Sequence, residues 1–331
     1  MLQILRIAPL STIQDRGRLD GRDQGVPRSG PLDDWSHAVA NVLVGNAPGG
    51  AALEVGFGRS ELLFEQPAMI AICGARAPVD ADGHSLPRWR PILLSAGTRI
   101  RIEPAQHGQR MYVAVAGEMR TPALLGSRSG APSCGLGIEA LRRGDRLAYL
   151  HHDHNFVPGL TATMRSRRPV VANWWADAEP LLDLEGEAEL RLIAGAHLGL
   201  LTDPYAPFTQ SFVISIDSNR MAAPLVGKTL PIGAAGELTS EPVVPGTLQL
   251  PPSGQPLLLL ADAQTIGGYP RIGHLASIDL ARFAQRRAGS VVRFEPIGVD
   301  AARRLWIWRQ QRICRLTIAV AAKFRDAARA G

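Results

Sequence analysis

Short apolar runs separated by glycine and proline turns fill the first part of the chain, and this pattern restricts the folds available to it. LQILRI, AMIAICGA, TRIRIE and RMYVAVAG are examples from residues 1–150. Such runs between turn signals are typical of antiparallel strands in a β-barrel or β-sandwich. Similar runs return in residues 188–299, including ELRLIAG and SVVRFEPI, so a second β-barrel domain is predicted there.

Two segments have helical patterns instead. In PLDDWSHAVANVL, at 31–43, a proline and two aspartates mark a helix start, and apolar residues recur at helical spacing. Residues 300–331 have no internal proline and carry apolar residues among arginines, which predicts a basic C-terminal helix. We expect this helix to pack on the second domain, with partner binding as the alternative. Residues 151–187, which begin with HHDH, are predicted to be a connector with little regular structure.

The charge comes almost entirely from arginine. The formal net charge is +6, yet Lys228 and Lys323 are the only lysines. This composition disfavours lysine Schiff-base chemistry and favours arginine binding of carboxylates or phosphates. The arginines are scattered and aromatic residues make up 5% of the chain, so no nucleic-acid partner is predicted. Three distant cysteines predict reduced thiols and no metal site. Without a signal-peptide pattern or a membrane-length apolar run, a cytoplasmic protein is expected, with no membrane partner.

A buried strand followed by a polar loop is the most distinctive local feature. Residues 257–273 read LLLLADAQTIGGYPRIG. Four leucines predict a strand buried on both faces, and the Gly-Gly pair with the following proline allows a tightly shaped loop. The loop offers an acid, an amide, two hydroxyl groups and a guanidinium, from Asp262, Gln264, Thr265, Tyr269 and Arg271. A purely structural turn is the alternative.

Two further polar groups stand at predicted strand ends. They are residues 14–18, QDRGR, and residues 218–220, SNR. Each combines arginine and amide groups beside small residues, so each is a candidate grip for a carboxylate or phosphate, with surface ion pairing as the alternative. AAPLVGKT at 222–229 fits a relaxed phosphate-loop pattern, but Pro224 and the poor helix that follows disfavour that interpretation.

Several of these segments together resemble a known family. IQDRGR at 13–18, GVPRSGPLDDWSHAVANVLVGN at 25–46, ALEVGFG at 52–58, DSNRM at 217–221 and ADAQTIGGYPRIG at 261–273 are similar to the KipA-like family, whose members include the C subunit of 5-oxoprolinase. That family is also called allophanate hydrolase subunit 2 and biotin-dependent carboxyltransferase. The matches keep their order over residues 2–297.

The resemblance implies a mainly β fold with two cyclophilin-like β-barrel domains. It also implies that the protein acts in a complex with two partners, a KipI-like B subunit and an A subunit. Together the three couple ATP hydrolysis to opening 5-oxoproline to glutamate. ATP with Mg²⁺ would be shared with the KipI-like partner, and this chain has no covalent biotin site. Activating a small-molecule amide requires cations on developing oxyanions and well-positioned amides.

Site roles are predicted from these loops together. We expect Arg220 to grip an anion, Asp262 to act as a base or as an acceptor that organises the loop, and Gln264 to orient the amide. The predicted substrate-binding residues are Asn219, Thr265, Tyr269, Arg271, Gln14, Asp15, Arg16 and Arg18.

Other functions remain open at this point. One is a non-catalytic KipA-like protein that binds a KipI-like kinase inhibitor, and another is a carboxyltransferase domain served by biotin in trans. The family usually continues Gly-x-Arg-Leu after the SNRM segment, whereas this chain reads AAPL at 222–225. That loss of an arginine would suit a divergent paralogue acting on another amide.

Overall fold

The computed structural model describes residues 1–150, 168–233 and 238–329 and shows two β units with helices packed against them. Part of the predicted connector, 151–167 with its HHDH segment, lies outside the described residues, as do 330–331 at the end of the predicted C-terminal helix. The described helices are α1 (Asp34–Leu43), α2 (Ala206–Thr209), α3 (Ser277–Ala284) and α4 (Val299–Arg329). None of the helices in the described ranges is long and apolar enough to cross a membrane.

The first unit is built from two sheets that enclose one core. Its strands are β1 (Leu2–Arg6), β2 (Thr12–Gln14), β3 (Ala52–Val55), β4 (Ser60–Phe64), β5 (Ala68–Arg76), β6 (Val79–Ala81), β7 (His84–Ser85), β8 (Pro91–Leu94), β9 (Thr98–Ile102), β10 (His107–Val115), β11 (Met119–Arg120), β12 (Arg146–Tyr149) and β13 (Val170–Val171). The sheets have the strand orders β11-β12-β1-β4-β9-β6-β7 and β13-β8-β5-β10-β3-β2. Apolar side chains from both sheets, such as Leu2, Phe64 and Ile70, are fully buried between them.

The second unit is a closed barrel. Its strands are β14 (Ala188–Ala194), β15 (Ser211–Ile214), β16 (Ala222–Val226), β17 (Glu241–Pro242), β18 (Thr247–Gln249), β19 (Leu257–Leu259), β20 (Ile266–Gly267), β21 (Arg271–Leu275) and β22 (Val291–Pro296). The barrel order is β14-β21-β18-β19-β16-β15-β22, while β17 and β20 form a separate two-stranded sheet. The pairing of β14 with β22 is parallel, and the other barrel pairings are antiparallel.

Helix α1 lies against the first unit, as its sequence pattern predicts. Asp33 caps the helix, since its carboxylate accepts the Ser36 amide at 2.9 Å and the Ser36 hydroxyl at 2.6 Å. Trp35, Val39 and Leu43 are buried in the cluster beneath it. The mainly β fold and the C-terminal helix are therefore confirmed.

Helix α4 contacts both units rather than the second alone. Near its start, Ala302 packs with Ala276 and Ile278 of the second unit. Farther along, Ile313 and Val320 join the buried cluster of α1. The segment predicted as a connector also lies on the first unit where it is described, because β13 pairs with β8.

Candidate functional site

A cleft of about 300 Å³ opens where the two units and α4 meet. Its walls come from the loop between β2 and α1, from α1 itself, from the end of β19 and from α4, and they include Arg16, Arg28, Ser29, Trp35, His37, Leu260, Ala261, Arg309 and Ile313. Clefts that combine apolar walls with a few polar groups at a domain boundary are the usual places for small-molecule binding. This cleft is therefore the candidate functional site.

The loop between β2 and α1, residues 15–33, is fixed by Asp15. The carboxylate accepts the backbone amides of Gly17 at 2.9 Å and Arg128 at 2.7 Å, and the hydroxyls of Ser127 at 2.5 Å and Ser129 at 2.7 Å. Burial works to raise the pKa of Asp15, but these hydrogen bonds outweigh it and the pKa lies below its ordinary value. Asp15 is consequently a charged anchor of the loop.

Two other residues of the predicted 14–18 segment lie beneath this loop. Arg18 is fully buried and donates to the Ser129 carbonyl at 2.6 Å, and Gln14 donates to the Gly130 carbonyl at 2.8 Å. Both side chains hold the loop against the segment that follows β11. Of the predicted residues in 14–18, only Arg16 lines the cleft.

Gly17 allows the two arms of this loop to touch. Its φ is +81°, and a Cβ there would lie 2.7 Å from the Arg28 carbonyl oxygen, whereas Gly25 has a φ of +84° with nothing within 4 Å of its Cβ position. Both Gly→Ala changes require a left-handed residue, a cost of about 1–2 kcal/mol. Gly17→Ala must also push Arg28 away, so we expect it to lower the free energy of unfolding by at least about 1 kcal/mol more than Gly25→Ala. Urea unfolding of the two variants measures the difference. Equal losses would show that the arms separate freely.

A buried ion cluster joins the two units directly under the cleft. Arg220 of the second unit forms an ion pair with Glu54 of the first and donates from Nε to Asp262 Oδ2 at 2.9 Å. Its Nη2 donates to the Gly30 carbonyl at 2.6 Å and to Asp262 Oδ1 at 3.2 Å. A backbone bond from Ser29 to the Ala261 carbonyl, at 2.9 Å, lies beside the cluster. The cluster therefore positions residues 29–30 and 261–262 against each other.

The charges in this cluster compensate one another. Burial works to raise the pKa of Glu54, but Arg220, Arg110 and hydrogen bonds from Tyr112 and Leu32 outweigh it and the pKa is lowered. Burial raises the pKa of Asp262, opposed by Arg220. For Arg220, burial favours the neutral form, but the two carboxylates dominate and raise its pKa, so the guanidinium stays charged.

Asp33 forms a second link between the units. Its carboxylate accepts the Gln285 side-chain amide, which follows α3, at 2.6 Å. Burial raises the pKa of Asp33 to about 6, although its hydrogen bonds to Ser36 and Gln285 favour the charged form.

His37 lies in the cleft wall on α1. Its Nε2 is 3.0 Å from the Gln14 carbonyl oxygen, and burial lowers its pKa, so the imidazole is neutral at pH 7. A neutral imidazole can both donate and accept a hydrogen bond. His37 thus adds no charge to this wall of the cleft.

The remaining predicted residues are spread around the rim of the second unit. Asn219 is exposed and accepts the amides of Met221 and Ala222, which shapes its turn. Gln264 is exposed, with one bond to Gln249 at 3.5 Å, and Arg271 forms an ion pair with Glu241. Thr265 is buried, and Tyr269 is 46% exposed. None of these five is among the residues that line the cleft.

Four residues of the site and its support are not singled out by the sequence: Arg28, His37, Glu54 and Arg309. Glu54 has a detectable signal, since a lone acid in the apolar run ALEV suggests a buried charge that needs a partner. Arg28 and His37 fall within the segment at 25–46 but stand out by no local pattern. Arg309 binds Asp34 through two bonds of 2.9 and 2.6 Å across 275 residues, a pairing that one sequence does not reveal.

The fold and this cleft define a protein of two β units with a candidate binding cleft at their boundary. The family model for the carboxyltransferase domain, subdomain A and B, matches residues 24–296, and the chain belongs to this family. The resemblance seen in the sequence is thereby confirmed.

The chain is similar to named relatives over most of its length. It is 32% identical to the C subunit of 5-oxoprolinase from Escherichia coli (strain K12), covering 91% of this chain and 93% of that protein. The protein of the same name from Haemophilus influenzae is 30% identical, with 92% and 94% covered. The solved structure of K. lactis urea amidolyase matches with a TM-score of 0.82 at 23% identity, covering 95% of this chain and 20% of that one. This last likeness concerns the fold.

Proposed function

We propose that this chain is one component of an ATP-dependent amidohydrolase of the 5-oxoprolinase type, which opens 5-oxoproline to glutamate. The similarity over nearly the full length of two proteins named as the C subunit of 5-oxoprolinase carries this proposal. The chain would act in the cytoplasm with an A subunit plus a KipI-like B subunit, and would have no activity alone.

The cleft offers what amide chemistry needs. A lactam carbonyl resists attack because of its resonance, so a catalyst must stabilise negative charge on oxygen and fix the ring. Arg16 and Arg28 supply positive charge, and Trp35 with Leu260 supplies apolar wall. Arg220 and Asp262 use their polar atoms within the protein, which supports the predicted role of Asp262 as a loop-organising acceptor and gives Arg220 a positioning role.

The relaxed phosphate-loop pattern at 222–229 does not support an ATP site in this chain. The AAPLVGKT segment forms strand β16 and then a bend at Gly227 and Lys228, rather than a loop leading into a helix. Within the described ranges, no three His, Cys, Asp or Glu side chains are grouped so that they could hold a metal ion. We propose that ATP with Mg²⁺ is shared with the KipI-like partner, which would supply the principal contacts.

A carboxyltransferase function is the second candidate. The family description favours it, as does the similarity to urea amidolyase of Lachancea kluyveri, at 26% identity over 89% of this chain and 17% of that protein. Biotin would then be delivered on another polypeptide or domain.

Reconstitution separates these functions. The chain is purified together with its A and B partners, and ATP hydrolysis is measured with and without 5-oxoproline. Hydrolysis that depends on 5-oxoproline and releases glutamate is the expected result. A tight complex without turnover would favour the KipA-like binding role, and a strict requirement for a biotin carrier would favour carboxyl transfer.

Gln264→Ala in the same complex tests the loop that follows β19. Gln264 is exposed and makes one long hydrogen bond, so its loss should leave the fold intact. We expect turnover to fall at least about tenfold, equal to about 1.4 kcal/mol of barrier. The same loss is expected for Arg220→Ala, assayed where that variant remains folded. The control variant is Ser253→Ala, because Ser253 is also exposed, and it should keep full turnover. Unchanged kinetics for Gln264→Ala would contradict its predicted role in orienting the substrate amide.

A further inference from the structure

The geometry points to the cleft as the binding site for the carboxylate-bearing end of a small cyclic amide, with Arg16 and Arg28 as the two cations that hold the carboxylate. This inference deepens the proposed function and rests on it for the identity of the amide. It also assigns substrate recognition to this chain rather than to a partner.

The charge balance at the cleft favours an anion. Arg16 and Arg28 are exposed at its mouth, and neither guanidinium has a hydrogen-bond or ion-pair partner among the described residues. The acids nearby are already satisfied: Asp34 by Arg309, Asp33 by Ser36 and Gln285, and Asp15 by the amides and hydroxyls of its loop. The oxygens of these acids are thus engaged elsewhere, which leaves the guanidiniums of Arg16 and Arg28 available to an anion. A carboxylate is the planar anion that a guanidinium binds best, through paired hydrogen bonds.

The backbone holds the two chain segments that carry these cations against each other. The Arg18 amide donates to the Arg28 carbonyl at 2.6 Å, and the Arg16 amide donates to the Gly49 carbonyl at 3.2 Å. Gly17 sits between the two arms with no room for a side chain. The residue after Arg28 is tied to the second unit by the bond from Ser29 to Ala261. Both guanidiniums therefore extend from a braced backbone, which lowers the entropy lost on binding.

The rest of the cleft suits a small ring. Its volume is about 300 Å³, and Trp35, Leu32, Leu280 and Ile313 give it apolar surface. The side-chain amide of Gln310 adds a hydrogen-bonding group without charge. A small ring that carries one amide group and one carboxylate matches these walls better than an inorganic anion does.

Titration calorimetry with the purified full chain provides the test. The probes are 5-oxoproline, 2-pyrrolidinone, which is the same lactam without the carboxylate, and inorganic phosphate. We expect 5-oxoproline to bind at least tenfold more tightly than 2-pyrrolidinone and more tightly than phosphate. Equal affinity for the two lactams, tighter binding of phosphate, or no binding of 5-oxoproline would overturn the inference.

One double variant combines Arg16→Gln with Arg28→Gln. The control double variant combines Arg6→Gln with Arg101→Gln, which lie at exposed strand positions of the same unit. The first pair should weaken 5-oxoproline binding at least tenfold, with an unchanged circular dichroism spectrum, and the control pair should leave it unaltered. Equal affinity of the first pair and the wild type would exclude Arg16 and Arg28 as the grip.

Kinetics of the reconstituted complex distinguish this inference from the proposed function. If the Arg16/Arg28 variant has the KM of the wild type for 5-oxoproline, these arginines do not bind the substrate carboxylate, and the proposed function is unaffected. A wild-type complex that turns over no 5-oxoproline would sink the function, while the titration would still decide the cleft.

Discussion

Arg220→Ala is expected to lower the free energy of unfolding by about 3–5 kcal/mol, because it leaves two carboxylates buried without their counterion. Glu54 and Asp262 are 2% and 0% exposed, so water cannot replace the lost guanidinium. The Gly30 carbonyl would also lose its donor. Urea unfolding followed by tryptophan fluorescence gives the measurement.

Two further variants show whether charge is the cause. Arg59→Ala removes an ion pair with Glu103 whose side chains are 45% and 31% exposed, and it should cost less than about 1 kcal/mol. Combining Arg220→Met with Glu54→Gln and Asp262→Asn removes all three charges and should recover much of the loss. A loss below about 1 kcal/mol for Arg220→Ala alone would mean that the cluster does not hold the units together.

The second large effect is a pH dependence that comes from Asp33. Its folded-state pKa of about 6 lies above the ordinary value of 3.8, so the folded protein binds this proton more tightly than the unfolded chain. The resulting stabilisation is complete below about pH 4 and is lost as the pH rises through about 6. A gap of about two pKa units corresponds to at most about 3 kcal/mol.

Asp33→Asn isolates this contribution, since asparagine also caps helices and cannot titrate. We expect the free energy of unfolding of the wild type, measured relative to Asp33→Asn, to fall between about pH 4 and pH 7. Urea unfolding at several pH values across this range gives the two curves. If the free energy of unfolding changes with pH in the same way in both proteins, Asp33 is not the group whose titration causes the pH dependence.

Local patterns in the sequence predict the elements well where the pattern is strong. The aspartates and apolar spacing of α1 indicate a helix, and the leucine run of β19 indicates a buried strand. Helix α3 does not stand out in the sequence, because it is short, follows directly after a strand and has no side-chain cap. The strength of the local signal, rather than the importance of the element, determines what can be predicted.

The site can be predicted only in part, because its residues meet across long separations. Arg16 stands near a strand end, as its sequence context predicts, but its neighbours in the cleft come from α1, β19 and α4. Arg220 is predicted as a free cation, whereas its partner Glu54 lies 166 residues away and uses one end of the guanidinium. A single sequence shows which charges exist. It does not show which of them are already paired.

The position of α4 in the chain also sets the order in which the cleft can form during synthesis. Arg309 and Ile313 belong to its wall, yet they follow both β units in the sequence. The wall of the cleft is therefore complete only once α4 has been synthesised and has packed against α1. A polypeptide that stops before α4 would lack this wall and should not bind the ligand.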